Sequence, residues 1–360
     1  MKSPAIIVAA LVASASAFAP PTTWQTFPLP LVPANLTFNL DYLSALPTGA
    51  SAKAITKANI CIHGLSRDVG NCFAFDKDIL DRSTSVILAP VFPSSNAACK
   101  SVSPDKTASS TSGLWTTCDG YANGNQPSNL PKGLNTAASI GDSFSMLDTF
   151  VSSLQTTYPS LKQINVVGFG LGAQFAQRYG ALTQIYDTVV KQNVTLNFIV
   201  SSADTWLYTQ ESLPVASAWS KGLSAAASDF QRPSPRDVYQ ANCVDQWNAF
   251  PYGMTNVGSD YMANRGGKWG GYASTQVVKM TYVFNGDDNF QTGDDTSCAS
   301  AFQGPKSDRV ARQQLYVQFL NTVFKPVSPV TTVTVPGCPH DANCFYIEAS
   351  RVLALRQLLF

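Results

Sequence analysis

Histidine is almost missing from this chain: 360 residues contain two, His63 and His340. With so little imidazole and no C-x-x-C pair, the usual zinc spacings are excluded, and neither a metal nor another cofactor is expected. Charge is sparse as well. Asp, Glu, Lys and Arg make up 13% of the residues, 24 basic against 23 acidic, for a net charge of +1. No basic stripe forms, which argues against nucleic acid and anionic membrane surfaces as partners. No apolar run reaches the ~20 residues that cross a bilayer, so no membrane span is expected. No repeat or linker divides the chain. What is abundant is apolar side chain, at 45%, which favours one sizeable packed core over disorder.

The N-terminus has its own pattern. Lys2 precedes the apolar run Ala5–Ala13, and the small residues Ser14 to Ala17 follow. A charged start, a short apolar stretch and an A-x-A site read as a cleaved secretory signal over residues 1–17. A single domain over 18–360 and an extracellular location are then expected. Two sequons, at Asn35 and Asn193, would be glycosylation acceptors on that route. Eight cysteines (Cys61, Cys72, Cys99, Cys118, Cys243, Cys298, Cys338 and Cys344) all fall in the mature part. An even count in an exported chain predicts disulfides, although eight cysteines allow about 105 complete pairings. Cys338 and Cys344 flank His340 closely enough to close a tight loop, but spacing alone does not set connectivity.

Short apolar runs rich in β-branched residues predict strands at Asn59–Gly64, Ser85–Phe92, Gln163–Gly170, Val194–Ala203, Val277–Gly286 and Val330–Gly337. Helical spacing predicts helices at Cys72–Ser83, Asp142–Tyr158, Ala173–Val190, Ser307–Phe324 and Phe345–Phe360. The alternation predicts an α/β fold, a doubly wound and mostly parallel sheet with helices on both faces. Two stretches interrupt it, about 93–133 and 208–274. The second has Trp206 at its edge and contains Trp219, Trp247 and Trp269. Insertions of this length either decorate the surface or lie lid-like over the C-terminal strand ends, where ligands bind.

The chemistry concentrates in Asn165–Gly180, NVVGFGLGAQFAQRYG, where a strand enters a glycine-rich corner and leaves as an amphipathic helix. The five residues Gly168 to Gly172 match the G-x-S-x-G nucleophile elbow with glycine at its apex, Gly170. His63 ends a strand just before Gly64, and His340 follows the last strand. Asp287, Asp288 and Asn289 follow the penultimate one. A lone histidine is more often structural than catalytic. Here, though, the order of corner, acid and base is that of the hydrolases built on this elbow.

Together with SSADTWLY (Ser201–Tyr208), DTSCASAFQGP (Asp295–Pro305) and the late Pro339-His340-Asp341, the corner resembles the secreted or microbial esterase-like α/β-hydrolases related to poly(3-hydroxyalkanoate) depolymerases and feruloyl esterases. The resemblance covers Ala54–Phe360 and implies the α/β-hydrolase fold. It implies His340 as general base, with Leu171 N–H and the backbone at Gly64 and Leu65 as oxyanion donors. It aligns the acid with Asn289, leaving Asp287 and Asp288 beside it. The nucleophile position falls on Gly170, so the serine is lost. Ser66, Ser201 and Ser202 do not sit on such a corner. The implied protein is a secreted pseudo-esterase whose former active-site cleft binds a small ester or aromatic ligand, or an extracellular protein or glycan partner. The alternatives are an active ester hydrolase, with an unorthodox nucleophile or a water driven by His340, and an adhesion scaffold.

Overall fold

β-branched and aromatic runs, buried along nearly their whole length, supply the inner strands. The computed structural model describes residues 20–29, 38–99, 112–128, 141–243, 246–256, 260–264, 279–288, 301–305 and 308–360. The expected signal segment 1–17, Asn35, Trp269, Asn289 and Cys298 lie outside the described residues. The strands are β1 (Gln25–Pro28), β2 (Asn39–Ala45), β3 (Lys57–Ile62), β4 (Ser85–Pro90), β5 (Gln163–Phe169), β6 (Thr195–Ser201), a small ribbon of β7 (Leu213–Pro214) and β8 (Phe230–Gln231), β9 (Lys279–Asn285) and β10 (Thr331–Val335). All but the ribbon form an eight-stranded sheet in the order β1-β2-β4-β3-β5-β6-β9-β10. From β4 to β10 every pairing is parallel, and β1 and β2 add an antiparallel edge.

Nine helices cover the described residues: α1 (Lys77–Asp81), α2 (Ser143–Thr157), α3 (Leu171–Leu182), α4 (Ile185–Lys191), α5 (Pro235–Gln240), α6 (Asp260–Asn264), α7 (Arg309–Phe319), α8 (Ala342–Arg351) and α9 (Leu353–Leu359). Aspartates start four of them; at α1, Asp76 accepts from Asp78 N–H at 3.0 Å. Asp142, Asp308 and Asp341 each accept backbone N–H groups of the first turn of α2, α7 and α8, satisfying donors that the helix itself cannot pair. Successive strand residues serve opposite faces. Ile60, Val166 and Val200 join the core under α2, α3 and α7. Cys61, Val167 and Ile199 join the second core, under α1, α8 and α9. The sheet is therefore covered on both sides, as a parallel sheet requires.

Several elements differ from the sequence expectation. The Cys72–Ser83 helix is a 3₁₀ turn (Val69–Phe73) followed by α1. Ala173–Val190 is two helices, because Thr183 turns extended with its hydroxyl 3.0 Å from Asp148 Oδ1. Phe345–Phe360 breaks at Val352, which is extended at φ −69° and ψ 117°. The edge strands β1 and β2 were not foreseen. Exposed β1 and polar-interrupted β2 lack the continuous apolar runs of the inner strands.

Candidate active site

Segments that follow the C-terminal ends of β3, β4, β5, β6 and β10 line a cleft of about 380 Å³. At the end of β5 the chain turns sharply. Gly170 has φ 58° and ψ −120°, and its N–H donates to the Ser201 carbonyl at 3.0 Å. The three corner glycines are needed for different reasons. A Cβ on Gly168 would overlap the backbone of Gly172, and one on Gly172 would overlap the Ile62 carbonyl. Those two glycines let α3 press against β3 and β5. Gly170 is crowded by none of the described residues: a Cβ there would lie 3.8 Å from His340 Nε2. Its glycine serves the backbone alone, since a positive φ strains any residue with a Cβ.

His340 lies in the loop between β10 and α8, closed by a Cys338–Cys344 disulfide. Its ring packs 4.8 Å from that of Phe169 and its Nδ1 lies 3.0 Å from Asp288 Oδ2. Burial pushes the Asp288 carboxyl up, but hydrogen bonds from His340 and Ser202, with the charges of His340 and Arg309, outweigh it and hold the acid below its ordinary range. An ionised Asp288 favours an imidazole that carries its proton on Nδ1 and presents Nε2 toward Gly170. Of the three candidate acids, the structure brings Asp288 to His340. Asp287 is exposed, its backbone N–H on the Cys338 carbonyl at 3.1 Å. The alignment of the acid with Asn289 was one residue off the partner seen here, and Asn289 itself lies outside the described residues.

Across the cleft, the loop after β3 is fixed by its carbonyls. His63 Nε2 accepts from Phe92 N–H at 3.0 Å, so its Nδ1–H donates to the Gly64 carbonyl at 2.9 Å. Tyr121 OH donates to the His63 carbonyl at 2.7 Å, and Arg67 Nη1 donates to the Leu65 carbonyl at 2.7 Å. With these carbonyls held, Gly64 and Leu65 wall the cleft opposite Leu171. Leu171 is the first residue of α3, so its N–H has no intrahelical acceptor. His63 is thus a buried structural imidazole. The two histidines have different surroundings and different uses.

Asp204 and Arg309, an ion pair that also lines the cleft, were not singled out from sequence. No local pattern marks them. They meet only because β6 and α7 are neighbours in the fold. No tryptophan of the second insertion lines the cleft among the described residues. Trp206 is buried against Tyr316 with rings 4.9 Å apart, Trp247 is in the core, and Trp219 packs against it. Large aromatics here fill the space under the insertion instead of facing the cleft. The first insertion does reach the cleft, through Ala98. Ser66 also lines the cleft, and Ser201 is committed to the Val283 carbonyl at 2.8 Å.

Sheet order, covered faces and the strand-turn-helix corner are those of the α/β-hydrolase fold. Among solved structures, the chain is similar to a poly(3-hydroxybutyrate) depolymerase from Bordetella parapertussis. That match has a TM-score of 0.53 at 16% identity over 93% of this chain and 94% of the other. Poly(aspartic acid) hydrolase-1 from Sphingomonas sp. KT-1 gives a TM-score of 0.54 at 13% identity, covering 92% and 98%. At such identities the likeness establishes the scaffold. No family model and no curated protein matches the chain. Among the described residues no helix is long and apolar enough to cross a membrane.

Proposed function

We propose that this chain is a secreted, disulfide-stabilised pseudo-esterase that binds a small ester or aromatic ligand in the former catalytic cleft. One observation carries the reading: the absent side chain of Gly170 would point at His340 Nε2 from 3.8 Å, while His340 keeps its Asp288 partner. A base and an acid stand ready for a hydroxyl that the corner does not supply. Losing an elbow serine costs about a millionfold in rate, and what survives comes from oxyanion donors and binding. The extracellular location rests on the signal segment, the sequons and the bridged cysteines.

The test is Gly170→Ser. The variant should label with a serine-reactive phosphonate and raise ester turnover by roughly two orders of magnitude or more, while wild type does neither. Adding Asp288→Asn should abolish most of that gain, because triad members act as a unit. Some loss of stability, about 1–3 kcal/mol, is expected from a Cβ at this backbone conformation.

The intact His340–Asp288 pair also favours a second reading, an ester hydrolase that drives water directly. Wild-type turnover that survives stringent purification and vanishes in His340→Ala would establish it and displace the first.

A further inference from the structure

Resting on the reading of the cleft as a binding site, we infer that its ligand is a carboxylate with an apolar body, held by both of its oxygens. A working elbow presents one oxyanion pocket, because the serine oxygen occupies the space beside it. Here no side chain of the described residues other than His340 lies within about 4 Å of that position. His340 Nε2 faces it from 3.8 Å, and the first N–H of α3, that of Leu171, borders it. The opposing loop at Gly64 and Leu65 is held in place by His63, Tyr121 and Arg67.

A carboxylate fits these two positions with two oxygens, one against the helix N-terminus and the oxyanion loop, the other where the serine oxygen would stand, bonded to His340 Nε2 through a proton taken up on binding. An ester or primary amide matches only the first with an oxygen acceptor. Its second heteroatom is a poorer partner for that shared proton than an anionic oxygen. The rest of the cleft suits an uncharged body. Ile62, Leu65, Ala98, Phe169, Ala342 and Tyr346 supply apolar lining, and a volume of about 380 Å³ lies in the range of small-molecule pockets. The cleft's fixed charges, Asp204 and Arg309, are already paired with each other, and Asp68 caps the 3₁₀ turn by accepting from Gly70 N–H at 3.1 Å. Losing the nucleophile therefore reverses the preference of the site, from the bond to be cleaved to the acid that cleavage would leave.

The experiment is calorimetric titration of the full chain with benzoate and 3-phenylpropionate, each alongside its methyl ester and primary amide. At least one acid should bind saturably and about tenfold or more tighter than its ester and amide, the difference one charge-assisted hydrogen bond makes. Gly170→Ser refills the second oxygen position and should weaken that acid by a similar factor. His340→Gln should do the same without altering the corner, which covers the case in which the serine variant folds poorly. Esters or amides binding as tightly as the acids, no saturable binding by either acid, or acid affinity unmoved in His340→Gln would each overturn the inference. Failure of the pseudoenzyme reading has a different signature. Hydrolysis of the methyl esters by wild type would displace that reading while leaving the acid preference to be measured on its own.

Discussion

Burial drives the His63 imidazole down to about 3, with the nearby Arg67 guanidinium adding to the shift and a hydrogen bond to the Gly64 carbonyl opposing it. The neutral ring suits its bonds, since Nε2 accepts from Phe92 N–H and a second ring proton would remove that acceptor. The pH consequence follows from linkage. Unfolded histidine takes its proton near pH 6.5, whereas the native ring stays neutral until about 3. Between these values the unfolded chain binds the extra proton, so the contribution of His63 is complete above pH ~6.5 and is lost as pH falls. Melting temperatures of wild type and His63→Gln, compared from pH 7 to 4, should show the wild-type advantage shrinking toward acid. A gap that stays constant across the range would refute the assignment. The same two histidines also show what sequence reveals at this scale. Their placement at two strand ends was legible, but which one sits buried and which faces Asp288 depends on packing from Phe92, Tyr121 and Arg67, all distant along the chain from His340.

At the scale of elements, the sheet holds its last helix through a row of amides. Asn59, Asn165 and Asn197 are cross-strand neighbours on β3, β5 and β6. Asn165 donates to Asn59 Oδ1 at 2.7 Å and to the Leu358 carbonyl at 2.9 Å, and Asn197 donates to Asn165 Oδ1 at 2.9 Å. Asn59 and Ser85 both donate to the Leu359 carbonyl at 2.8 Å, and Lys57 reaches that of Gln357 at 2.7 Å. The terminal carbonyls of α9, which have no partners within the helix, are thereby satisfied under the sheet. Asn165→Ala would leave Asn59 and Asn197 short of a buried partner and should cost about 2–4 kcal/mol in urea unfolding. Amide exchange should quicken in α9 more than in α2, and equal quickening in both would mean the amide row does not anchor the helix specifically. None of this was visible in the sequence. Each asparagine is a polar residue within an apolar strand, and only the register aligns them. The inner strands were legible because β-branched runs bury on both faces. The break at Val352 was not, because the apolar spacing runs on through it while docking under the sheet turns the chain.

For the whole molecule, each described bridge pins a loop or short turn to the chain beside it. Cys61–Cys72 ties β3 to the 3₁₀ turn, Cys99–Cys118 closes part of the first insertion, and Cys338–Cys344 closes the loop that carries His340. Cys243 is also disulfide-bonded. The fold class could be read from strand-helix alternation, but pairing could not, since it depends on which loops the sheet brings together. Protein recovered from the medium of its native host should begin near Phe18 and weigh about two hydrogens less per bridge than the reduced chain. Its peptide map should join the three described pairs, and eight free thiols would sink both the bridges and the secretory reading. Removing bridges should also rank by loop length. Cys99–Cys118 spans 19 residues and Cys338–Cys344 spans 6. The chain-entropy model therefore assigns the longer loop about 1 kcal/mol more stabilisation. Paired Cys→Ala variants followed by thermal unfolding measure that order directly. If loss of the short loop costs more than loss of the long one, the Cys338–Cys344 bridge acts on the folded state, by holding His340 against Asp288 and Phe169, and its removal should then also weaken phosphonate labelling of Gly170→Ser.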